Sequence, residues 1–165
     1  AYKIYNALTM QSSGDFSGEG AILTPLTQFA LSLTTSRSGI PYVWGGTTTS
    51  GFDCSGFAQY IFRKFGKSLP RTSREQATVG QNIPVVPAYM RPGDLCFYAN
   101  ASGVIHHVAI YIGNGLIVGA QSSKSGIKTE KWDYNPVACV RRVFNIDDAA
   151  TTQIAGSKTG EDADS

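Results

Sequence analysis

A chain of 165 residues, 42% hydrophobic and 16% charged, suits one globular domain that buries its own core, without a second catalytic domain. A net charge of +2, with no basic run longer than Arg141-Arg142, argues against nucleic acid as a partner, and no apolar span of about 18 residues offers a membrane crossing. Charge is uneven: Ile146 to Ser165 holds five acids and one lysine, a net −4, so the remainder carries +6, a body that tolerates anionic polymers without being specific for them.

Residues 1–21 are rich in Ser, Gly and polar residues and read as a linker or N-terminal arm; Ala1-Tyr2-Lys3 lacks the pattern of an uncleaved signal peptide. Thr24-Pro25 gives an N-cap followed by proline at the first helical position, and Leu26, Phe29, Ala30 and Leu33 keep helical spacing until Ser36 to Gly39. Gly39 to Gly46 is extended and aromatic, and Thr47 to Gly51 is a polar loop. From Cys54 a second helix follows, with Phe57, Ala58, Ile61, Phe62 and Phe65 on one face and Gly66 as a left-handed end. The spacings Thr72 to Glu75 and Ser73 to Gln76 each suit a capping box for a short third helix ending near Gly80. Strands are expected over about Leu95 to Tyr98, His107 to Ile112, Leu116 to Gln121, Gly126 to Trp132 and Ala138 to Phe144, where Arg141-Arg142 has a structural role. Asp147 to Ser165 has few large apolar residues and reads as a disordered acidic tail. Helices first and strands later make an α+β domain over residues 22–146, with the helices packed on an antiparallel sheet of about five strands.

The chemistry gathers at Phe52-Asp53-Cys54-Ser55-Gly56-Phe57, where a loop gives way to a helix. In a first helical turn, unpaired N–H groups and the positive end of the helix dipole favour a thiolate. The bland alternative is a buried helix-start thiol. Packing of this helix on the sheet would bring His107 to Cys54 across 53 residues of sequence. Cys96 and Cys139 lie in apolar strands and read as core packing, with a disulfide between them as the alternative. No cysteine pair has zinc-site spacing and the only histidines are His106 and His107, so neither a metal nor a cofactor is expected. Successive strand positions face opposite ways, so one histidine alone can reach the thiol. His107 is assigned that role, and His106 is placed in an exposed or cleft-rim position.

Five motifs in order, Pro41 to Gly46, Gly51 to Phe57, Leu69 to Ser73, Arg91 to Leu95 and His107 to Gly115, resemble the NlpC family of bacterial cell-wall cysteine peptidases over about Thr24 to Phe144. The resemblance implies a compact papain-like fold and a secreted or envelope-located endopeptidase, monomeric, acting on peptidoglycan stem peptides at the bond from D-γ-glutamyl to meso-diaminopimelate or L-lysine. An amidase cutting between N-acetylmuramate and L-alanine, or an inactive wall-binding module, would be the alternatives on the same scaffold. Cys54 is the expected nucleophile and His107 its acid–base partner, holding the thiolate as an ion pair. The Cys54 N–H would serve the oxyanion, with the Tyr42 hydroxyl as second donor or, equally, the Tyr42 ring as a wall aromatic packing the helix. Trp44 is expected to pack the nucleophile helix as a wall aromatic. Asp53 either caps the helix or, as the resemblance implies, holds the ammonium of a free N-terminal L-alanine; Ser55 lines the site.

The family pattern places a polar residue, usually histidine, twelve positions after the catalytic histidine to orient its ring. Here that position is Gly119. A three-residue Gly113-Asn114-Gly115 loop would set Gln121 opposite His107 as the orienting group, and a two-residue Asn114-Gly115 turn would substitute Ser122. The remaining reading of Gln121 is a solvated strand-end residue.

Overall fold

The computed structural model describes residues 23–144, so the expected arm at 1–21 and acidic tail at 147–165 lie outside the described residues. Helix α1, Leu23–Ser32, begins two residues ahead of Pro25 rather than at it, and a separate turn of helix, α2 (Thr35–Ser38), precedes Gly39. The polar loop before the nucleophile motif is a small hairpin, β1 (Thr47–Thr48) and β2 (Gly51–Phe52). Helix α3, Cys54–Lys64, starts at the expected cysteine. It closes with Lys67 N–H donating to Phe62 C=O (2.9 Å) and Gly66 N–H to Arg63 C=O (3.1 Å), a Schellman pair that requires the left-handed Gly66, φ 87°. Of the two candidate capping boxes, Thr72 with Glu75 forms, and α4 spans only Ser73–Gln76.

The remaining chain forms β3 (Gln81–Ile83), β4 (Leu95–Ala99), β5 (Ile105–Gly113), β6 (Leu116–Ser122), β7 (Gly126–Lys131) and β8 (Val137–Arg142). These make one antiparallel sheet in the order β3-β8-β4-β5-β6-β7. The five expected strands are all present. The sixth, β3, escapes the sequence pattern because it is three residues long with a single apolar side chain, Ile83, and relies on β8 for its pairing. Leu95, Phe97, Val108, Ile110 and Val118 share a core with Phe57, Ile61 and Phe62 of α3, while Cys96, Tyr98, Ala109, Tyr111 and Ile117 form a second core. Alternation along the strands therefore fixes the sheet between two apolar layers, and a one-residue slip would exchange them. Phe52, Phe57 and Phe62 are almost fully buried, each contributing roughly 1.5–3 kcal/mol of apolar burial. Cys96 and Cys139 are free thiols placed in different cores.

The β5–β6 connection combines both turns considered from sequence. Asn114 (φ 54°) and Gly115 (φ 77°) form a two-residue turn with Gly113 opposite Leu116, and a bulge between Tyr111 and Gly113 then restores Tyr111 to Ile117 and Ile110 to Val118. Continued to the start of β5, that register sets His107 against Gln121. Ser122 is instead tied into the β6–β7 turn by its hydroxyl, 2.8 Å from that of Ser125.

Arg142 clamps Asp94 across the sheet with Nε to Oδ1 at 2.8 Å and Nη2 to Oδ2 at 2.9 Å; the Asp94 side chain is fully buried and also accepts from Arg91 N–H at 2.8 Å. Arg141 Nε donates to Ala77 C=O at 2.8 Å, so both arginines have structural contacts. Asp94→Ala leaves Arg142 buried without its partner and is expected to lower unfolding free energy by about 3 kcal/mol. Urea denaturation checks this; a loss below about 1 kcal/mol would show that the pair contributes little.

Candidate active site

Three chain segments meet at Asp53. As N-cap of α3, its Oδ1 accepts from Gly56 N–H (2.7 Å), the Ser55 hydroxyl (3.3 Å) and Arg71 Nη1 (3.2 Å), and its Oδ2 accepts from Gly45 N–H (3.1 Å) and Arg71 Nη2 (2.8 Å). Arg71 also donates to Ser55 Oγ at 2.8 Å. Five donors exceed the roughly four lone-pair sites of a carboxylate, so Asp53 is saturated by the protein itself. Of its two sequence readings, the helix cap is present in the structure. Arg71 is the residue the sequence reading missed, although it stands inside one of the motifs. Gly56 is obligatory here for packing: a Cβ would run into the carbonyl oxygen of Gly46.

Cys54 enters the sheet where β5 and β6 part. Registered pairing between those strands ends at Ile110–Val118, and beyond it the Cys54 Sγ lies 4.0 Å from His106 C=O, with Val108 N–H also bearing on the sulfur from the other side of His107. The Cys54 and Ser55 N–H groups of the first helical turn also bear on the sulfur. His107 is buried against the Tyr98 ring, with centroids 5.5 Å apart, and its Nε2–H donates to Gln121 Oε1 at 2.8 Å. Nδ1 is then the nitrogen that carries a lone pair for the thiol proton. Gln121 falls at a bulge between β6 and β7, which aims its side chain. Gly119 makes this possible: a Cβ at 119 would sit 3.0 Å from Gln121 Oε1 and 3.0 Å from Ala109 Cβ, so the amide occupies space that a side chain there would take.

Burial pushes the Cys54 thiol up, outweighing the Val108, Ser55 and Cys54 N–H groups that favour the thiolate, and the Asp53 charge raises it further. Burial likewise lowers the His107 pKa, assisted by His106, while the Gln121 hydrogen bond opposes the shift. Both directions favour a neutral thiol and imidazole at rest. These shifts run against the thiolate and ion pair expected from sequence, and burial is their largest cause.

The site opens into a cleft of about 1290 Å³. Tyr42 is half-buried on its wall, its phenol pushed up by burial and by the charges of Cys54 and Asp53, and so it keeps its proton to donate. Trp44 does not pack α3. A turn at Trp44-Gly45, closed by Gly46 N–H to Val43 C=O at 2.8 Å, leaves the indole 87% exposed at the cleft. His106 is exposed on the rim, with Nδ1–H donating to Tyr98 C=O at 3.1 Å. Tyr134, between β7 and β8, also lines the cleft and had no signal in the sequence. Among the described residues no group of three or more His, Cys, Asp or Glu could hold a metal ion.

Residues 39–141 match the profile of the NlpC/P60 family. The chain is 39% identical over 113 residues to a gamma-D-glutamyl-L-lysine dipeptidyl-peptidase of Bacillus subtilis, an alignment that takes in 65% of this chain and 38% of that protein. It is 48% identical over 90 residues to the probable endopeptidase p60 of Listeria innocua, taking in 54% and 18%. The chain therefore spans well under half the length of either relative. Among solved structures, the NlpC/p60 domain of the peptidoglycan hydrolase SagA superposes with a TM-score of 0.62 at 29% identity, over 72% of this chain and 97% of that one.

A base working through Nδ1 must be unprotonated, so activity rises with pH through the pKa of His107, and a lowered pKa puts that acid limb below 6.5. Gln121→Ala removes the one contact that favours the charged ring. The limb is expected at still lower pH, with turnover reduced about tenfold, in a pH profile of kcat/KM. A limb unmoved or shifted upward would contradict the assigned contact.

Proposed function

The chain belongs to the NlpC/P60 family, and from that premise we propose that it is a cysteine endopeptidase of the bacterial cell wall, cutting peptidoglycan stem peptides between D-γ-glutamate and the diamino acid. The observation that carries this reading is the Cys54 sulfur lodged between the backbone groups that flank His107, whose far nitrogen is held by Gln121. His107 Nδ1 takes the thiol proton as Cys54 attacks the γ-carbonyl, which relieves the unfavourable burial of a thiolate by forming the bond as the proton leaves. The tetrahedral oxyanion is served by the Cys54 N–H and the Tyr42 hydroxyl. The imidazolium then protonates the departing α-amine of the diamino acid, leaving a thioester, and water activated at Nδ1 releases the γ-carboxylate.

Saturation of Asp53 supports endopeptidase action on stem peptides still attached to glycan. The other carboxylates that line the cleft are Glu75, folded into its capping box with Thr72, and Glu130, 3.7 Å from Lys128 Nζ. An N-acylated L-alanine requires no carboxylate partner, and Ser55 lines the site as a buried hydroxyl already engaged by Arg71. The exposed Trp44 face offers apolar surface to the substrate. Such an enzyme works as a monomer outside the membrane, in the cell envelope. No helix among the described residues is long and apolar enough to cross a membrane. The catalytic domain is assigned to residues 22–146.

Digestion of purified peptidoglycan and of paired tripeptides, L-Ala-γ-D-Glu-L-Lys with a free or an acetylated amine, tests this by product mass. Cleavage after γ-D-glutamate is expected, with the acetylated peptide cut at least as fast as the free one and no product from Cys54→Ala, whose circular dichroism is unchanged. Products cut between muramate and L-alanine would reassign the protein as an amidase. Retention on the wall without any fragment would make it a binding module.

A further inference from the structure

Each end of the cleft serves a different part of the substrate. The acyl part lies toward the α3 start, where Cys54 and Tyr42 serve the carbonyl, and the leaving α-amine must lie at His107, which returns the proton to it. The diamino acid therefore runs on past His107, over Gln121 of β6 and toward β7. Two charged side chains line the cleft there, Lys128 and Glu130, on one face of β7. Lys128 is paired with Gly119, so no cross-strand side chain stands between it and the His107–Gln121 contact. Same-face positions on one strand are about 6.8 Å apart and neighbouring strands about 4.8 Å, which sets the Lys128 backbone on the order of 8 Å from that of Gln121. An extended diamino acid side chain and the long Lys128 side chain together cover that distance.

These charges are open where others in the cleft are closed. The Asp53 carboxylate and the Arg71 guanidinium are paired bidentately, and Glu75 is folded into the Thr72 capping box. Arg74 belongs to α4, which is tied to the α3 start by Gln76 Nε2 donating to Ser55 C=O at 3.1 Å. Lys128 Nζ stands 3.7 Å from Glu130 Oε2, too far for a hydrogen bond, so the two balance each other's charge while both keep open hydrogen-bonding positions. The other Glu130 oxygen accepts from Lys131 N–H at 3.0 Å, which fixes the direction of the carboxylate. We infer that Lys128 and Glu130 form the recognition site for the far end of the diamino acid, and that they select one ending in both a carboxylate and an ammonium, as meso-diaminopimelate does, over one ending in an ammonium alone, as L-lysine does. The Lys128 ammonium pairs with the substrate carboxylate and the Glu130 carboxylate with the substrate ammonium, so that four charges alternate in sign. An L-lysine substrate would satisfy Glu130 but bring a second ammonium toward Lys128, which is unfavourable.

The inference rests on the proposed cleavage after γ-D-glutamate, and a binding measurement without turnover separates the two. Four tripeptides L-Ala-γ-D-Glu-X serve as substrates, with X as meso-diaminopimelate, its distal carboxamide, L-2-aminopimelate, which lacks the distal ammonium, or L-lysine. In wild type kcat/KM is expected to be about tenfold higher for the meso-diaminopimelate peptide than for each of the others, the worth of one charge-assisted hydrogen bond. Lys128→Met should bring the ratio of that peptide to its carboxamide to about one, since the carboxylate has lost its partner. Glu130→Gln should do the same for the ratio to the 2-aminopimelate peptide. Lys128→Glu should reverse the preference in favour of L-lysine.

A surface ion pair that only supports β7 would leave every one of these ratios at its wild-type value, whatever the change in stability. Unchanged ratios in Lys128→Met and Glu130→Gln would therefore overturn the proposal, as would a wild-type preference for the L-lysine peptide. Calorimetric titration of the four peptides into Cys54→Ala protein reads the same order as Kd, without turnover. Wild-type protein that cuts none of the peptides, while the Cys54→Ala protein binds them in the expected order, would refute the peptidase reading and leave the recognition site standing. Equal Kd values for all four would refute the site whether or not the peptides are cut.

Discussion

The carboxylate of Asp53 is the contact on which the site depends. It caps α3 through Gly56 N–H, holds the Gly45 turn and takes both guanidinium nitrogens of Arg71, so one side chain joins the aromatic loop, the nucleophile helix and the segment leading into α4. Planar, bidentate pairing of this kind sets direction as well as strength. The helix start is thereby held at a fixed height against the sheet. Buried at 9% exposure, the carboxylate would be unfavourable without these partners.

The sheet contributes by coming apart. Between β5 and β6 the ladder stops short of the strand end, and the Val108 N–H and His106 C=O that border the opening face the Cys54 sulfur. The sulfur there is partly buried at the base of the cleft. Desolvation raises the thiol and lowers the imidazole, both directions favouring the neutral pair. Such a site favours transfer of the proton in step with attack over a standing ion pair, and it makes the orientation of His107 decisive, because only Nδ1 can accept.

Much of this was legible in the chain. Helical spacing from Phe57 to Phe65 and the alternation of β4 to β8 follow directly from burial of one face, and the cysteine at a helix start with one of two adjacent histidines in a strand located the site. The Gly119 departure pointed to Gln121, although the route differs: the turn is the two-residue form, and a bulge at Ile112 returns the register that a three-residue loop would have given. Local pattern cannot report such a bulge, since it alters pairing without altering which residues are apolar. Trp44 was misread for a related reason. Its neighbours are aromatic and motif-like, but a left-handed Gly45, φ 79°, turns the chain and sends the indole outward. Arg71 and Tyr134 were missed because their places at the site exist only in the folded chain, Arg71 through its pairing with Asp53 18 residues away and Tyr134 by lining the cleft two strands beyond the last motif. Strand β3 has too little apolar content to declare itself.

The central claim is that Cys54 forms the bond to substrate. Intact-protein mass spectrometry after acid quench, within the first turnovers on a muropeptide, measures it directly. A mass increase equal to the acyl portion ending in γ-D-glutamate, mapped by digestion to the peptide containing Cys54, is the predicted result. Release of fragments with no adduct at any time, or an adduct on Cys96 or Cys139, would contradict it.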